Sequence, residues 1–422
     1  MQRTLVLLTF LFLPIQQLDA AGPLPGFRVE TVAVSSEFIT SLAVDSRGTL
    51  YYTTHTARMG DVPGRGDLYR LVGGAGELVA TFPTEWEGNA GLLGVALLDD
   101  DHAVVHYTTP GRWQHIISRV DLRTGVESLP PLARMESLPP NTGGDISTEH
   151  HGGNLTVGAD GAIWFGIGDF GGFVPAQDPK WIAGKIWRLT LDGTLTQWAS
   201  GLRNPYDLAW DPVLQRIVVG DNGSQGNDEI HVIQQGDDCG WPNPATPEGK
   251  ISVPPVYVFQ PKEKSIAPTG LLRVNGRNPI VRRGYIVAGF VTRSLYYFPS
   301  LTTAPAADPV TILDRHEAPI IDVVDGPDGT IYFSTGAGTS KIFRLQTPKR
   351  GDCNGDGLAS YDDLAALDHE LHDGQTQPMV TVGGGAYAGS WGCDANGDGI
   401  VTAADGEAIQ SLITKRRRAV RR

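Results

Sequence analysis

The chain has 422 residues, 41% hydrophobic and 19% charged, with a formal net charge of -13. Its 53 glycines are about one residue in eight, against a usual share of about 7%. The acidic balance argues against a nucleic-acid binder, which needs a positive field, and three cysteines are too few for a disulfide-stapled miniprotein.

Residues 1–20 carry Arg3, an apolar stretch from Leu5 to Leu13 and the small residue Ala20, the pattern of an export signal. The stretch is about half of what a membrane span needs, so no transmembrane anchor is expected there. The expected location is secreted or periplasmic, with cell-surface association as a variant.

From about residue 25 to 347, apolar stretches meet glycine-bearing turns and then β-rich strands. Leu42–Tyr52, Leu155–Phe165, Leu208–Val219 and Val323–Phe333 share this form, and Leu93–Tyr107 is a weaker version. Pro279–Val287 reads as a further strand pair around Arg283, and Lys185–Leu195 as a second hairpin within its repeat. Asp-Gly turns supply the positive φ that tight hairpins need. Six repeats of roughly 53 residues match one four-stranded sheet each, and radial stacking covers their edges. The expected fold is an all-β six-bladed β-propeller.

One repeat is unusual. Thr148-Glu149-His150-His151-Gly152-Gly153-Asn154 places two histidines and a carboxylate just before a strand. A neutral imidazole is suited to take a proton near pH 7. Adjacent histidines on a strand point apart, which makes them a poor metal chelate. A surface turn without chemistry is the competing reading. Further polar clusters stand at Gly168-Asp169, Arg203-Asn204-Pro205 and Asp221–Glu229, as loops lining one mouth would.

These segments carry a resemblance. Gly88–Ala96, His150–Leu155 with Gly168-Asp169, Gly201–Pro205, Asp228–Pro242 and Ser265–Gly270 resemble, in order, the soluble pyrroloquinoline quinone-dependent sugar dehydrogenases of the glucose/sorbosone dehydrogenase family. The resemblance implies oxidation of an aldose or related polyol, with hydride transfer to a calcium-bound quinone and onward to an electron acceptor. It places the catalytic base on His150 and substrate contacts on Asn89 and Glu149. It places cofactor contacts on Asp169, Arg203, Asn204 and Ser265, and calcium at the backbone of Gly223 and Ser224. The family's cations fall on Thr292, Pro319 and Ile321, and its stacking aromatic falls near Glu263; Arg293, Arg315 and Lys185 are the candidates to compensate. Two other readings stay open: a carbohydrate-binding or scaffold-attached propeller with a degenerate quinone site, and a sugar-lactone hydrolase.

Composition changes at Gly351. Residues 351–414 hold two matched twelve-residue loops with oxygen donors at positions 1, 3, 5, 9 and 12 and glycine at position 6. The first offers Asp352, Asn354, Asp356, Ser360 and Asp363, with the Leu358 carbonyl at position 7. The second offers Asp394, Asn396, Asp398, Thr402 and Asp405, with the Ile400 carbonyl. This is calcium chemistry of the EF-hand kind. Leu364, Leu367 and Leu371, then Ile409 and Leu412, predict a helix after each loop. The pair resembles a type I dockerin, which implies a cohesin-like scaffold partner. The loops start 42 residues apart because of a glycine-rich insertion. Cys353 and Cys393 can pair in an oxidising compartment, leaving Cys239 as a thiol. Residues 415–422 are expected to be a frayed basic tail.

Overall fold

A computed structural model of the chain describes residues 27–420 except 57–63, 86, 113, 139–145, 173–175, 244–251, 260–264, 279–280, 282, 337–338, 347–348, 355–357, 373–379, 383–384, 388–391 and 399–400. The export signal, Glu263, Asp356 and Ile400 therefore lie outside the described residues.

Each repeat folds where the hairpin chemistry puts it. In the first, the strands Phe38–Val44 and Leu50–Thr56 are joined through Gly48, whose φ of 85° an L side chain would resist. Arg65–Val72 and Ala75–Pro83 complete a four-stranded antiparallel blade. Blade two spans Leu92–Glu136, blade three starts at Leu155, blade four at Pro205, blade five at Pro268 and blade six at Ile320. Blade three gains a short parallel fifth strand, Asp237–Asp238. The outer strand of blade six comes from the other end of the chain: Arg28–Ser35 pairs with Ser340–Gln346 and closes the ring. A six-bladed propeller is thus what the six repeats build.

Six apolar clusters lie at the six blade-to-blade contacts. Tyr51 and Phe82 meet Val105 and Ile116 between blades one and two, and Trp164 meets Ile217 between three and four. Inner strands are also stapled by polar groups. Leu42 N donates to Asp322 Oδ2 (2.7 Å) across blades one and six, and Leu271 N to Asp207 Oδ2 (2.6 Å) across five and four. Asn154 N donates to Tyr206 O (2.8 Å) across three and four.

Two expectations are corrected. The strand pair around Arg283 sits elsewhere: the strands are Pro268–Arg273 and Tyr285–Gly289. The intervening segment instead reaches blade six, where Asn275 Nδ2 donates to Gly326 O (2.7 Å) and Asn278 Nδ2 to Gly329 O (2.9 Å). Residues 415–420 of the basic end are not frayed, because α2 (Ala403–Val420) runs through them; cations are favourable at a helix C-terminus.

The C-terminal unit pairs α1 (Asp362–His372) with α2 around Leu367, Val401, Ile409 and Ile413. The Cys353–Cys393 disulfide lies in the same core and ties the two loops together, while Cys239 is not disulfide-bonded. Among the described residues, no helix is long and apolar enough to cross a membrane.

Candidate active site

The loop before blade three is shaped by its glycines. A Cβ on Gly152 would collide with Gly166 O, and one on Gly153 with Tyr206 O, so only glycine lets the loop lie against blades three and four. His150 takes a φ of 56°, a conformation a non-glycine residue holds only when its surroundings enforce it. Its Nδ1 lies 2.6 Å from Asp169 Oδ1. Asp169, 2% exposed, also accepts from Gly171 N (2.9 Å) and, through Oδ2, from Trp241 Nε1 (2.9 Å). An ionised carboxylate accepts only, so His150 Nδ1 carries a hydrogen, and in the neutral imidazole Nε2 then holds the lone pair. That is the tautomer of a general base. His151, the next residue, points away and is fully buried.

Arg203 and Asn204 are set at the start of blade four by Asp221, which accepts from both backbone amides (2.9 and 2.7 Å). Burial pushes Asp221 up to about 6. The Arg203 guanidinium lies 5.9 Å from the Trp241 ring centre and donates to Asn222 O (2.8 Å) and Gly223 O (3.2 Å). Asn204 Oδ1 is buried without a partner. The expected calcium segment is already engaged: Gly223 O accepts from Arg203, and Ser224 O accepts from Asn227 N (3.1 Å). Each of these carbonyls has one of its two lone pairs engaged, so a cation would have to approach the other. Ser265 Oγ donates to Asp228 Oδ2 (2.6 Å), and Asp228 also accepts from Gly223, Ile266 and Ala267 amides. Ser265 thus secures its loop to blade four.

Asn89 reaches the base loop, its Oδ1 accepting from His151 N (3.1 Å), and also borders a cavity of about 600 Å³. Glu149 is exposed beside His150. Phe38, Tyr206, Thr269, Phe290 and Ile321 help line the cavity, whose described lining carries Glu37 and no lysine or arginine. The cavity adjoins the His150 cluster through Asn89 and does not enclose it.

Of the three candidates to compensate, Lys185 is enclosed by carbonyls, while Arg315 and Arg293 make surface contacts. Lys185, fully buried, donates to Asp178 O (3.0 Å) and Ala183 O (2.8 Å), and burial pushes its ammonium down to about 8. Arg315 pairs with Asp314 (3.1 Å), and Arg293 contacts Glu317 O (3.5 Å). Thr292 Oγ1 is buried without a partner.

Two features escaped the residue-by-residue reading. Trp241 orients Asp169 from 72 positions away. Asp221, Glu229 and His231 bring ligand atoms within 4.8 Å of one another, and the strand register Asp221↔Glu229 and Val219↔His231 sets that meeting. Burial works against a charge on His231, but Cys239 and Glu229 outweigh it and hold the imidazole proton well above the usual range.

Residues 61–344 match the family model described as glucose/sorbosone dehydrogenase. The chain belongs to this family. An uncharacterised protein of Synechocystis is 30% identical over 47% of this chain, and the chain spans 56% of that protein's length. The aldose sugar dehydrogenase YliI of Escherichia coli is 24% identical, covering 56% of this chain and 67% of its own. Among solved structures, the PQQ-bound form of the aldose sugar dehydrogenase of Streptomyces coelicolor has a TM-score of 0.61 at 24% identity, covering 77% of this chain and 100% of that one. The apo-form of the soluble E. coli aldose sugar dehydrogenase has a TM-score of 0.62 at 21% identity, over 76% and 100%. At these identities the structural likeness concerns the fold.

Beyond the family propeller, the two C-terminal loops close alike. Asp363 accepts from Asn354 N (3.0 Å) and Ser360 N (2.6 Å), and Asp405 accepts from Asn396 N (3.1 Å) and Thr402 N (2.8 Å). Asp352, Asp363, Asp394 and Asp405 are all buried.

Proposed function

We propose that the propeller oxidises a hydroxyl of an aldose or related polyol, with the electron pair passing to bound pyrroloquinoline quinone. The observation that carries this reading is the His150–Asp169–Trp241 chain, which leaves His150 Nε2 ready to accept a proton. Blades three and four fit the quinone: Arg203 can face one of its carboxylates, and the unpartnered Asn204 Oδ1 lies beside that arginine. When bound, the quinone supplies an electrophilic carbonyl that accepts hydride. His150 takes the hydroxyl proton at Nε2, and Asp169 stabilises the imidazolium that results. Asn89 and Glu149 hold neighbouring sugar hydroxyls.

The positions that the resemblance gives to the family's other cations are different. Thr292, Pro319 and Ile321 supply no charge, so Arg203 carries most of the task of balancing three carboxylates. This favours weak quinone binding, and it is the feature that supports the alternative of a propeller that binds carbohydrate without redox turnover. The test is dye reduction by the purified full chain supplied with quinone, calcium and a panel of aldoses. Sugar-dependent reduction is expected, and its absence at saturating quinone would reject the dehydrogenase reading.

We infer that the C-terminal unit binds two calcium ions through Asp352, Asn354, Ser360 and Asp363 and through Asp394, Asn396, Asp398, Thr402 and Asp405. The all-oxygen donor set suits a hard cation. As a dockerin-like unit it would attach the enzyme to a cohesin-like scaffold. The Cys353–Cys393 disulfide supports an exported, oxidising location.

A further inference from the structure

Three histidines outside the proposed chemistry lie end to end beneath the base loop. His106 and His115 stand on neighbouring strands of blade two, and His151 follows His150. All three are fully buried. His106 Nδ1 is 3.2 Å from Gly153 O, and His106 Nε2 is 2.9 Å from His115 Nδ1. His115 Nε2 is 3.4 Å from His151 Nδ1, and His151 Nε2 is 2.8 Å from Ser147 O. The chain of imidazoles begins and ends on carbonyls of one loop, on either side of His150.

Counting hydrogens fixes the arrangement. Both terminal carbonyls only accept, so each terminal nitrogen must carry a hydrogen, and each nitrogen–nitrogen link needs one more. Four links require four hydrogens, whereas three neutral imidazoles carry three. One link is therefore open, and the longest is the one at 3.4 Å. We propose that His106, His115 and His151 are positioning residues that clamp both ends of the base loop. In this arrangement hydrogens sit on His106 Nδ1, His115 Nδ1 and His151 Nε2, and a one-proton site remains between His115 Nε2 and His151 Nδ1.

The surroundings keep that site empty at neutral pH. Burial is the largest influence on each ring and pushes His106 down to about 3, His151 to about 4 and His115 well below the usual range. Arg112 and His150 further oppose a charge on His151, while Glu85 favours one. The ionisable neighbours of His106 and His115 are the other histidines of the chain. Phe165 packs on His106, and Phe170 packs on His115 and His151. Neutral rings with fixed tautomers give the loop rigid anchors and put no positive charge beside the base.

Long-range 1H–15N spectra of the full chain labelled at histidine read the tautomers directly. At neutral pH, His106 and His115 should be protonated at Nδ1 and His151 at Nε2. A hydrogen on His115 Nε2 or His151 Nδ1 would overturn the proposal. His115→Phe removes the hydrogen bond to His106 Nε2 and the polar edge facing His151, and should broaden or shift the His150 ring signals, whereas His115→Gln, which still donates to His106, should largely restore them. An unchanged His150 signal in folded His115→Phe would also overturn it; if that variant does not fold, the wild-type tautomers alone decide. The catalytic consequence rests on His150 being the base: kcat in His115→Phe should fall about tenfold with KM little changed. Because the nitrogen signals need no turnover, failure of the dehydrogenase reading and failure of the clamp are separable.

Discussion

In the proposed reaction His150 and Asp169 divide one task between them, and substitution can tell their parts apart. His150→Ala removes the proton acceptor, so kcat should fall roughly 100- to 10,000-fold while quinone binding, read by absorbance titration, stays nearly intact. Asp169→Asn can present an amide N–H to His150 Nδ1 and favour the wrong tautomer, and should lower kcat without changing the fold. His151→Ala has a different signature: it leaves a buried cavity and cuts the imidazole chain, so its cost should appear chiefly as lost thermal stability, of about 2–4 kcal/mol. Buried ionisable groups also give the propeller opposing pH responses. Histidines pushed below 6.5 let the unfolded chain bind protons first, so they withdraw stability as pH falls through that value. Burial raises Asp322 and Asp207 above 3.8, so the folded state binds their protons first and gains stability as pH falls. Wild type should therefore gain stability relative to Asp322→Asn, measured by denaturant midpoint, from pH 7 to pH 4. A constant gap would contradict the raised carboxylate.

At the scale of elements, hairpins were legible because Asp-Gly turns and apolar alternation are local signals. The Leu42–Tyr52, Leu155–Phe165 and Val323–Phe333 pairs form where those signals stand. Pro279–Val287 misled because Asn275 and Asn278 bond to blade six, an interaction about 50 residues away that no local pattern records. The site divides in the same way. His150 could be singled out by its unusual neighbours and its resemblance, but the Trp241–Asp169 contact and the His106–His115 link depend on tertiary geometry. For the C-terminal unit, calorimetric titration of the full chain should show two calcium ions bound. Asp363→Ala should remove one and Asp405→Ala the other, because each carboxylate closes its own loop. Loss of neither would reject the loop assignment.

For the whole molecule, closure depends on a strand supplied by the opposite end of the chain. Ala33 is buried and pairs with Ile342 at the seam, so the ring of Ala33→Pro has to be fitted against packed neighbours there and should lower Tm by several degrees. An unchanged Tm would show that the seam contributes little. His150 and Arg203 are linked through Asp169 and Trp241, and the central claim is that Arg203 holds the quinone largely without the cations that the resemblance would put at Thr292, Pro319 and Ile321. Calorimetric titration of quinone into wild type, Arg203→Ala and a triple variant with Thr292→Lys, Pro319→Arg and Ile321→Arg tests that claim most directly. Saturable but weak binding is expected in wild type, with at least about tenfold loss in Arg203→Ala and a gain in the triple variant. No saturable wild-type binding, or binding unchanged by Arg203→Ala, would contradict the account.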